Sequence, residues 1–492
     1  MEVRDLEPRA VFGFFSEVSR VPRASGHEGR MIDYLKHFAA CRGLACKTDD
    51  VGNVLINKGA TRGMEGRKTV VVQSHMDMVC EKRGDVAFDF SCDAIRAEID
   101  GEWLRAQGTT LGADDGIGVA MELALLDADD IVHGPIECVF TCDEETGLTG
   151  AFGMKRGFMS GSILLNLDSE DEGVLFVSCA GGATTRGEFD FERCDVPQGY
   201  FGVELSVRGL TGGHSGDDID KKRANANKVL VRFLYEMLGK YEYYLCDIDG
   251  GGLHNAIPRE ARAVVAVRFA DKERLCADWN VFAADVEAEY RVTERGILFD
   301  MRSVDEVDDD VSSGMCGERL KRMIASLHAV VNGVVAMSQT MDLVETSSNF
   351  ASIKHVGDRI VVVTSQRSSI GSARCDVSGM VRAALELGGA RVDVCSVYPG
   401  WSMNPESAIL RIAVSSYKRL FGREPLVRGI HAGLECGLFS EKYPGLDMVS
   451  FGPTLRGVHS PDERLLISSV AKVWAHLKAI LAEVPENDEE RK

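Results

Sequence analysis

The stretch Lys68-Thr-Val-Val-Val-Gln-Ser-His75-Met-Asp77-Met-Val constrains the fold most. A run of β-branched residues that feeds directly into His75, Met76 and Asp77 predicts a buried strand whose carboxyl end presents one imidazole and one carboxylate. Open α/β sheets keep their sites at that edge. Three later segments repeat the order of apolar strand, then acid or histidine. Gly134 to Glu145 ends in Asp143, Glu144 and Glu145, Ser162 to Asp168 ends in Asp168, and Leu446 to Gly452 leads to His459 in the following loop. Before the first of these, Leu111-Gly-Ala-Asp114-Asp115-Gly-Ile-Gly-Val opens a helix with paired acids.

Carboxylates brought to one sheet edge repel one another, so the pattern makes electrostatic sense mainly if a divalent cation sits among them. Two histidines, several carboxylates and no cysteine suit zinc, cobalt or manganese, and the acids suffice for two metals sharing one carboxylate. Taken singly, each residue also has a structural reading. His75 with Asp77 can be a hydrogen-bonded strand end, Asp114 a helix cap, and Asp168 or the Glu144–Glu145 pair a solvated turn. Coincidence across four elements is less economical than one metal centre, although the residues alone do not choose between Asp114 and Asp115 or between Glu144 and Glu145.

At 492 residues the chain is too long for a single core and should hold two domains or three. Strand and helix alternate to about residue 185, which predicts an α/β domain with a mostly parallel sheet sandwiched by helices. The texture changes near Gly181-Gly182. Residues 183–396 read as an inserted α/β domain of two similar halves, flanked by 1–182 and 397–492 as the two parts of the first domain. Ser25-x-x-Glu28 and Ser460-x-x-Glu463 read as capping boxes, the second placing His459 at the mouth of a helix that runs to about Ala482.

The net charge of −20, from 56 basic and 76 acidic residues with no basic stripe, opposes binding to nucleic acid or to an anionic membrane. No apolar run approaches a membrane span, and the charged opening Met1 to Pro8 lacks the core of a signal peptide. A soluble, cytoplasmic protein is expected. The 14 cysteines show no paired pattern, so reduced thiols are expected. Gly212-Gly-His214-Ser-Gly216 is not a nucleophile elbow, and His-Glu-x-x-His, phosphate-loop and dinucleotide fingerprints are absent.

In the stretches Ser74-His-Met-Asp-Met-Val, Thr110-Leu-Gly-Ala-Asp-Asp-Gly-Ile-Gly, Thr141-Cys-Asp-Glu-Glu-Thr-Gly, Asn166-Leu-Asp-Ser-Glu, Gly212-Gly-His-Ser-Gly, His254-Asn-Ala-Ile-Pro-Arg and Ile430-His-Ala-Gly-Leu-Glu-Cys-Gly, the chain resembles the aminoacyl-histidine dipeptidases. These are also called cytosolic nonspecific dipeptidases or bacterial-type carnosinases, of the co-catalytic two-zinc metallopeptidase clan. The likeness runs in unbroken order from about residue 8 to residue 483 and implies a zinc-exopeptidase catalytic domain with an inserted lid. It implies that His75, Asp114 and Asp168 hold one Zn2+ and Asp114, Glu145 and His459 the other, with Co2+ or Mn2+ as candidate substitutes. It makes Asp77 the residue behind His75 and Glu144 the general base, acting on a water between the metals. His214 becomes an oxyanion donor, and Asn255, Arg367 and Gly433 contact substrate, with Arg374 as an alternative to Arg367 for the substrate carboxylate. The implied reaction is hydrolysis of dipeptides, Xaa-His among them and β-Ala-His as a candidate. The implied assembly is a homodimer through the lid, with His214 and Asn255 reaching the partner's site. An aminopeptidase for longer peptides or an N-acyl amino acid amidohydrolase is the alternative within the same chemistry.

Overall fold

The computed structural model describes residues 2–304 and 311–487. The chain forms two compact units, one of Met1–Ser178, Trp401–Gly429 and Leu434–Lys492, the other of Cys179–Gly400 and Ile430–Gly433.

The first unit is built on an eight-stranded sheet whose order is 45–48, 54–58, 136–141, 70–75, 163–166, 447–450, 174–179, 426–430. Ile136–Thr141, Val70–His75, Ile163–Asn166 and Asp447–Ser450 run parallel to one another. The flanking strands are antiparallel where they join, 54–58 on 136–141 and 174–179 on 447–450. Every residue of Val70–His75, Ile136–Thr141 and Ile163–Asn166 is buried, which accounts for their continuous rather than alternating apolar runs. Ala113–Asp127, almost wholly buried, packs on the 70–75 strand, and Ala408–Phe421 packs on 447–450. Because the four central strands are parallel, their carboxyl ends share one edge, and the residues that follow them are delivered there together.

Both expected capping boxes are corrected. Glu28, not Ser25, occupies the N-cap of the helix Gly29–Arg42, and Ser25 Oγ donates instead to Asp77 Oδ2 at 2.7 Å. The last helix starts at Ile467, and Glu463 lies before it, in a hairpin whose strands Leu455–Arg456 and Arg464–Leu466 pair with each other. His459 is therefore at a hairpin tip, with a left-handed φ of 60°. Arg464–Leu466 also joins Trp103–Ala106 and Ala97–Asp100, so the meander near residues 84–110 anchors the hairpin.

The second unit is a nine-stranded antiparallel sheet. From Ala226 onward its longer elements run Ala226–Leu238, Tyr243–Gly251, Ala261–Arg268, Lys272–Tyr290, Leu298–Ser303, and then Gly317–Ala329, Gly333–Met337, Val344–Val356, Arg359–Ser368, Gly371–Leu387, Arg391–Tyr398, so the second run has the strand Gly333–Met337 in addition to the expected order. A large apolar core lines one face of this sheet and its helices. Its largest member, Trp279, is 2% exposed and meets Phe233 edge-on with ring centroids 4.7 Å apart. Among the described residues no helix is long and apolar enough to cross a membrane. Among the described residues no cysteine is joined in a disulfide.

Removing the indole leaves a cavity that this tightly packed sheet face cannot refill, so Trp279→Ala should cost about 3–5 kcal/mol in urea unfolding.

Candidate metal centre

His75 ends the 70–75 strand with its side chain 1% exposed. Its Nε2 lies 3.1 Å from Asp114 Oδ1 and 3.5 Å from Asp168 Oδ1, while Nδ1 lies 3.4 Å from Asp77 Oδ1. Asp77 is fully buried and also accepts from the backbone amides of Glu144 (3.0 Å) and Glu145 (3.3 Å). One carboxylate thus orients both the imidazole and the turn that carries the two glutamates. Burial opposes its charge, but the bonds from His75, Ser25 and the Glu144 amide overcome that and hold Asp77 at about 2.

The two oxygens of Asp114 face different neighbours. Oδ1 is turned to His75, and Oδ2 lies 3.2 Å from His459 Nε2, which in turn lies 2.9 Å from Glu145 Oε2. This is the geometry of a bridging carboxylate between a His75/Asp168 side and a His459/Glu145 side. His75, Asp114 and Glu145 offer ligand atoms all within 4.8 Å of one another.

The electrostatics call for a cation. Burial disfavours a charged His75, yet Asp168, Asp114 and Asp77 raise its pKa well above the usual value. Hydrogen bonds to Asp114 and Glu145 lift His459 to about 11. Burial pushes Asp168 up to about 7 and carries Glu144 well above the carboxylate range, with Asp168, Glu435 and Glu145 adding to the effect on Glu144. Two imidazolium ions and shared protons are balancing charge that a metal would balance better. The donor set fits: two imidazole nitrogens, carboxylates and no thiolate suit zinc or a similar borderline ion, and Glu145 Oε1 is buried without a hydrogen-bond partner. The Asp77–His75 contact is the carboxylate that commonly stands behind a metal-binding imidazole. The residues therefore suit a two-metal site.

A second acidic group, Glu28, Asp77 and Asp143, also comes within ligand range. Its oxygens already accept from Gly26 N, Asp143 N, Ser25 Oγ, Thr146 Oγ1 and the Glu144 and Glu145 amides, which makes it a bonded support behind the centre.

The second unit gathers most of the other expected residues. Gly213–His214 pairs with Ala256–Ile257, and Ser215 N donates to Asn255 O at 2.8 Å, so His214 and Asn255 lie on one ribbon. His214 Nδ1 accepts from the amides of Gly216 (3.3 Å) and Asp217 (3.2 Å), which leaves the ring proton on Nε2. Burial and the Arg367 charge lower its pKa, so it is neutral at pH 7. Arg367 is 6% exposed, has no carboxylate within 4.0 Å among the described residues, and donates from Nη1 to Tyr398 Oη at 3.3 Å. A Cβ added at Gly433 would stand 3.1 Å from the same Tyr398 ring. Arg374 is half-buried, and its Nη1 donates to the Tyr398 carbonyl.

Sequence reasoning missed four side chains around the centre: Ser25, Arg23, Glu435 and Glu463. Glu435 is fully buried between Gln73 Nε2 (2.6 Å) and Thr141 Oγ1 (2.7 Å). It stands in the His431-Ala-Gly-Leu-Glu435 motif, which was a usable signal. Arg23, beside Pro22 in a polar connection, carried none.

The profile of peptidase family M20/M25/M40 matches residues 71–483. The chain belongs to that family. Among its relatives, the cytosol non-specific dipeptidase of Escherichia coli is 40% identical over 485 residues, covering 98% of this chain and 99% of that protein. The crystal structure of aminoacylhistidine dipeptidase from Vibrio alginolyticus superposes with a TM-score of 0.92 at 42% identity, covering 99% of each chain. A tripeptidase from Staphylococcus aureus, at 15% identity and a TM-score of 0.57 over 97% of this chain and 99% of that one, shares the M20 fold.

At pH 7 the metal-free centre holds protons on His75 and His459, and these must leave before either nitrogen can bind a metal. Zinc uptake should therefore release protons and tighten as pH rises. Calorimetry in buffers of different ionisation enthalpy checks this, with net release of at least about one proton per chain expected at pH 7.

Proposed function

We propose that this chain is a two-zinc dipeptidase that hydrolyses the peptide bond of Xaa-His and other dipeptides. The observation that carries this reading is the divided Asp114 carboxylate, with His75 and Asp168 on one side and His459 and Glu145 on the other. We assign His75, Asp114 and Asp168 to one ion and Asp114, Glu145 and His459 to the other. The dipeptide substrate rests on the named activities of the E. coli and V. alginolyticus relatives.

When bound, the zinc pair supplies Lewis acidity toward the scissile carbonyl and toward a water. Glu144 takes the proton from the attacking water and returns it to the leaving amine, a shuttle suited to a carboxyl group whose pKa burial has raised. Asp77 keeps His75 Nε2 pointed at the centre and holds the Glu144–Glu145 turn in register. His214, neutral with its proton on Nε2, donates to the carbonyl oxygen as charge develops there. Arg367, a buried cation without an acidic partner among the described residues, binds the substrate carboxylate, with Asn255 and Gly433 lining the same subsite.

The active form in this proposal is a homodimer joined through the inserted unit, with His214 and Asn255 completing the partner's site. The edge strand Arg391–Tyr398, bonded only to Gly181–Asp190 among the described strands, supports it, as do the exposed Val397 on that strand and the exposed Met380 on the helix Gly371–Leu387. The exposed free thiols Cys41, Cys46, Cys92 and Cys194 support a cytoplasmic, reducing location.

Glu144→Gln should abolish turnover of Ala-His while both metals remain by elemental analysis, whereas Asp114→Ala should lose metal. Near-normal turnover by Glu144→Gln would sink the assigned mechanism. N-acetylated or amidated Ala-His should be cleaved at least about tenfold more slowly than the free dipeptide, the scale of one lost charged hydrogen bond. Equal cleavage of the acetylated form would move the protein to the amidohydrolases. Mixing inactive His214→Ala and Glu144→Gln proteins under subunit exchange should restore activity, and no recovery despite exchange would defeat the shared site.

A further inference from the structure

Glu463 is 2% exposed and faces four consecutive backbone amides. Oε2 accepts from Leu111 N at 2.6 Å and Gly112 N at 2.9 Å, and Oε1 from Ala113 N at 2.8 Å and Asp114 N at 3.3 Å. These amides belong to the entry and first turn of the helix Ala113–Asp127, where no intrahelical acceptor exists for them. Glu463 sits four residues after His459 on the same hairpin, so it joins the segment that carries one imidazole to the segment that carries the divided carboxylate.

Arg23, also 2% exposed, braces the same loop. Its Nη2 donates to Gly112 O, and its Nη1 donates to Met76 O at 3.1 Å and Asp77 O at 2.6 Å. Gly112 has a φ of 65°, and a Cβ there would stand 2.6 Å from Arg23 Nη2 and 2.7 Å from Met78 Sδ, so only glycine admits the close approach. The segments ending in His75, Asp114 and His459 are thereby tied together by two buried side chains of opposite charge, neither of which points a ligand atom at the cluster.

We propose that Glu463, backed by Arg23, is a positioning residue that fixes the Asp114 carboxylate against His75 and His459, so that metal affinity depends on it. This rests on the two-metal reading above. The four amides are all satisfied only while the 111–114 loop and the 459–463 hairpin keep this spacing. Replacing one oxygen by an amide NH2 would set donor against donor and release the loop.

A buried carboxylate in the same unit separates positioning from stability. Glu137, 5% exposed, accepts from Ser160 N at 2.8 Å, Ser160 Oγ at 2.5 Å and Gly161 N at 3.1 Å, at the far end of the strand Ile136–Thr141 from the cluster. Full-length wild type, Glu463→Gln, Glu463→Asp and Glu137→Gln are stripped of metal and titrated with Co2+, followed by visible absorption, with thermal melts recorded beside each titration. Both Glu463 variants should bind Co2+ about 10–100-fold more weakly with an altered absorption band. Glu137→Gln should melt lower but titrate as wild type. A wild-type titration and spectrum for Glu463→Gln overturns the proposal, as does equal weakening in Glu137→Gln. If Glu463→Gln fails to fold, Glu463→Asp, which keeps the charge but is one methylene short of the four amides, decides by the same outcomes. A wild type that takes up no Co2+ overturns instead the two-metal reading on which the proposal stands.

Discussion

Mutual repulsion among carboxylates is the constraint on which this catalytic unit depends. Asp77, Asp114, Glu144, Glu145 and Asp168 converge on two imidazoles at one sheet edge, several of them shielded from water. Charges at such spacings interact far more strongly in a partly dry interior than in solvent. In the absence of metal, protons carry the compensation: the carboxylates raise the pKa values of His75 and His459, and burial, with the neighbouring carboxylates adding to it, raises those of Glu144 and Asp168. A pair of divalent cations removes the need for those protons. The same crowding that would destabilise an ordinary protein interior is what makes the site a strong metal ligand.

Holding the donors in place requires stiffness that the sheet supplies unevenly. His75 is part of a fully buried strand, and Asp168 follows another by two residues. The non-helical first turn that carries Asp114, the four-residue helix Glu144–Gly147 and the His459 hairpin lie outside the sheet, and left-handed non-glycine residues stand at two of them, Asp143 at φ 50° as the N-cap of the short helix and His459 at φ 60°. Such conformations persist only where surrounding bonds over-determine them. Here those bonds come from buried carboxylates, Asp77 on the glutamate turn and Glu463 on the 111–114 amides. Beyond its negative ligands, the centre is therefore supported by further negative groups that are neutralised by backbone amides.

The sequence announced what depends on local pattern. Runs such as Val70-Val-Val and Ile163-Leu-Leu marked the central strands because burial on both faces leaves them uniformly apolar, and parallel pairing then placed His75 and Asp168 at a common edge. Elements of the inserted segment such as Ala226–Leu238 and Tyr243–Gly251 were visible because each buries one face and leaves the other less covered. Ser25-x-x-Glu28 and Ser460-x-x-Glu463 misled, since the spacing that makes a capping box says nothing about a competing partner far away in the chain. Glu463 meets amides some 350 residues earlier, and Arg23 meets carbonyls at residues 76, 77 and 112, so neither contact leaves a local trace. Nothing local separates Asp114 from Asp115, whereas in the fold Asp114 reaches both histidines and Asp115 Oδ1 accepts from Gly118 N at 3.1 Å.

The net charge is −20, yet the second unit buries Arg367 near His214, His254 and His431, whose pKa values are lowered by burial first and by the Arg367 charge second, His431 to about 3. Long-range repulsion from the surface is screened within about 8 Å at physiological ionic strength, so recognition is decided by the groups that line the subsite. Those groups keep His214 and His431 neutral and leave the guanidinium as the local charge. Arg367, buried in the second unit without a carboxylate within 4.0 Å among the described residues, is a local cation of the kind that binds a carboxylate. On the proposed reading, the peptide ends are the substrate's constant features and the side chains its variable ones, which is the chemistry expected of a dipeptidase with broad tolerance for sequence.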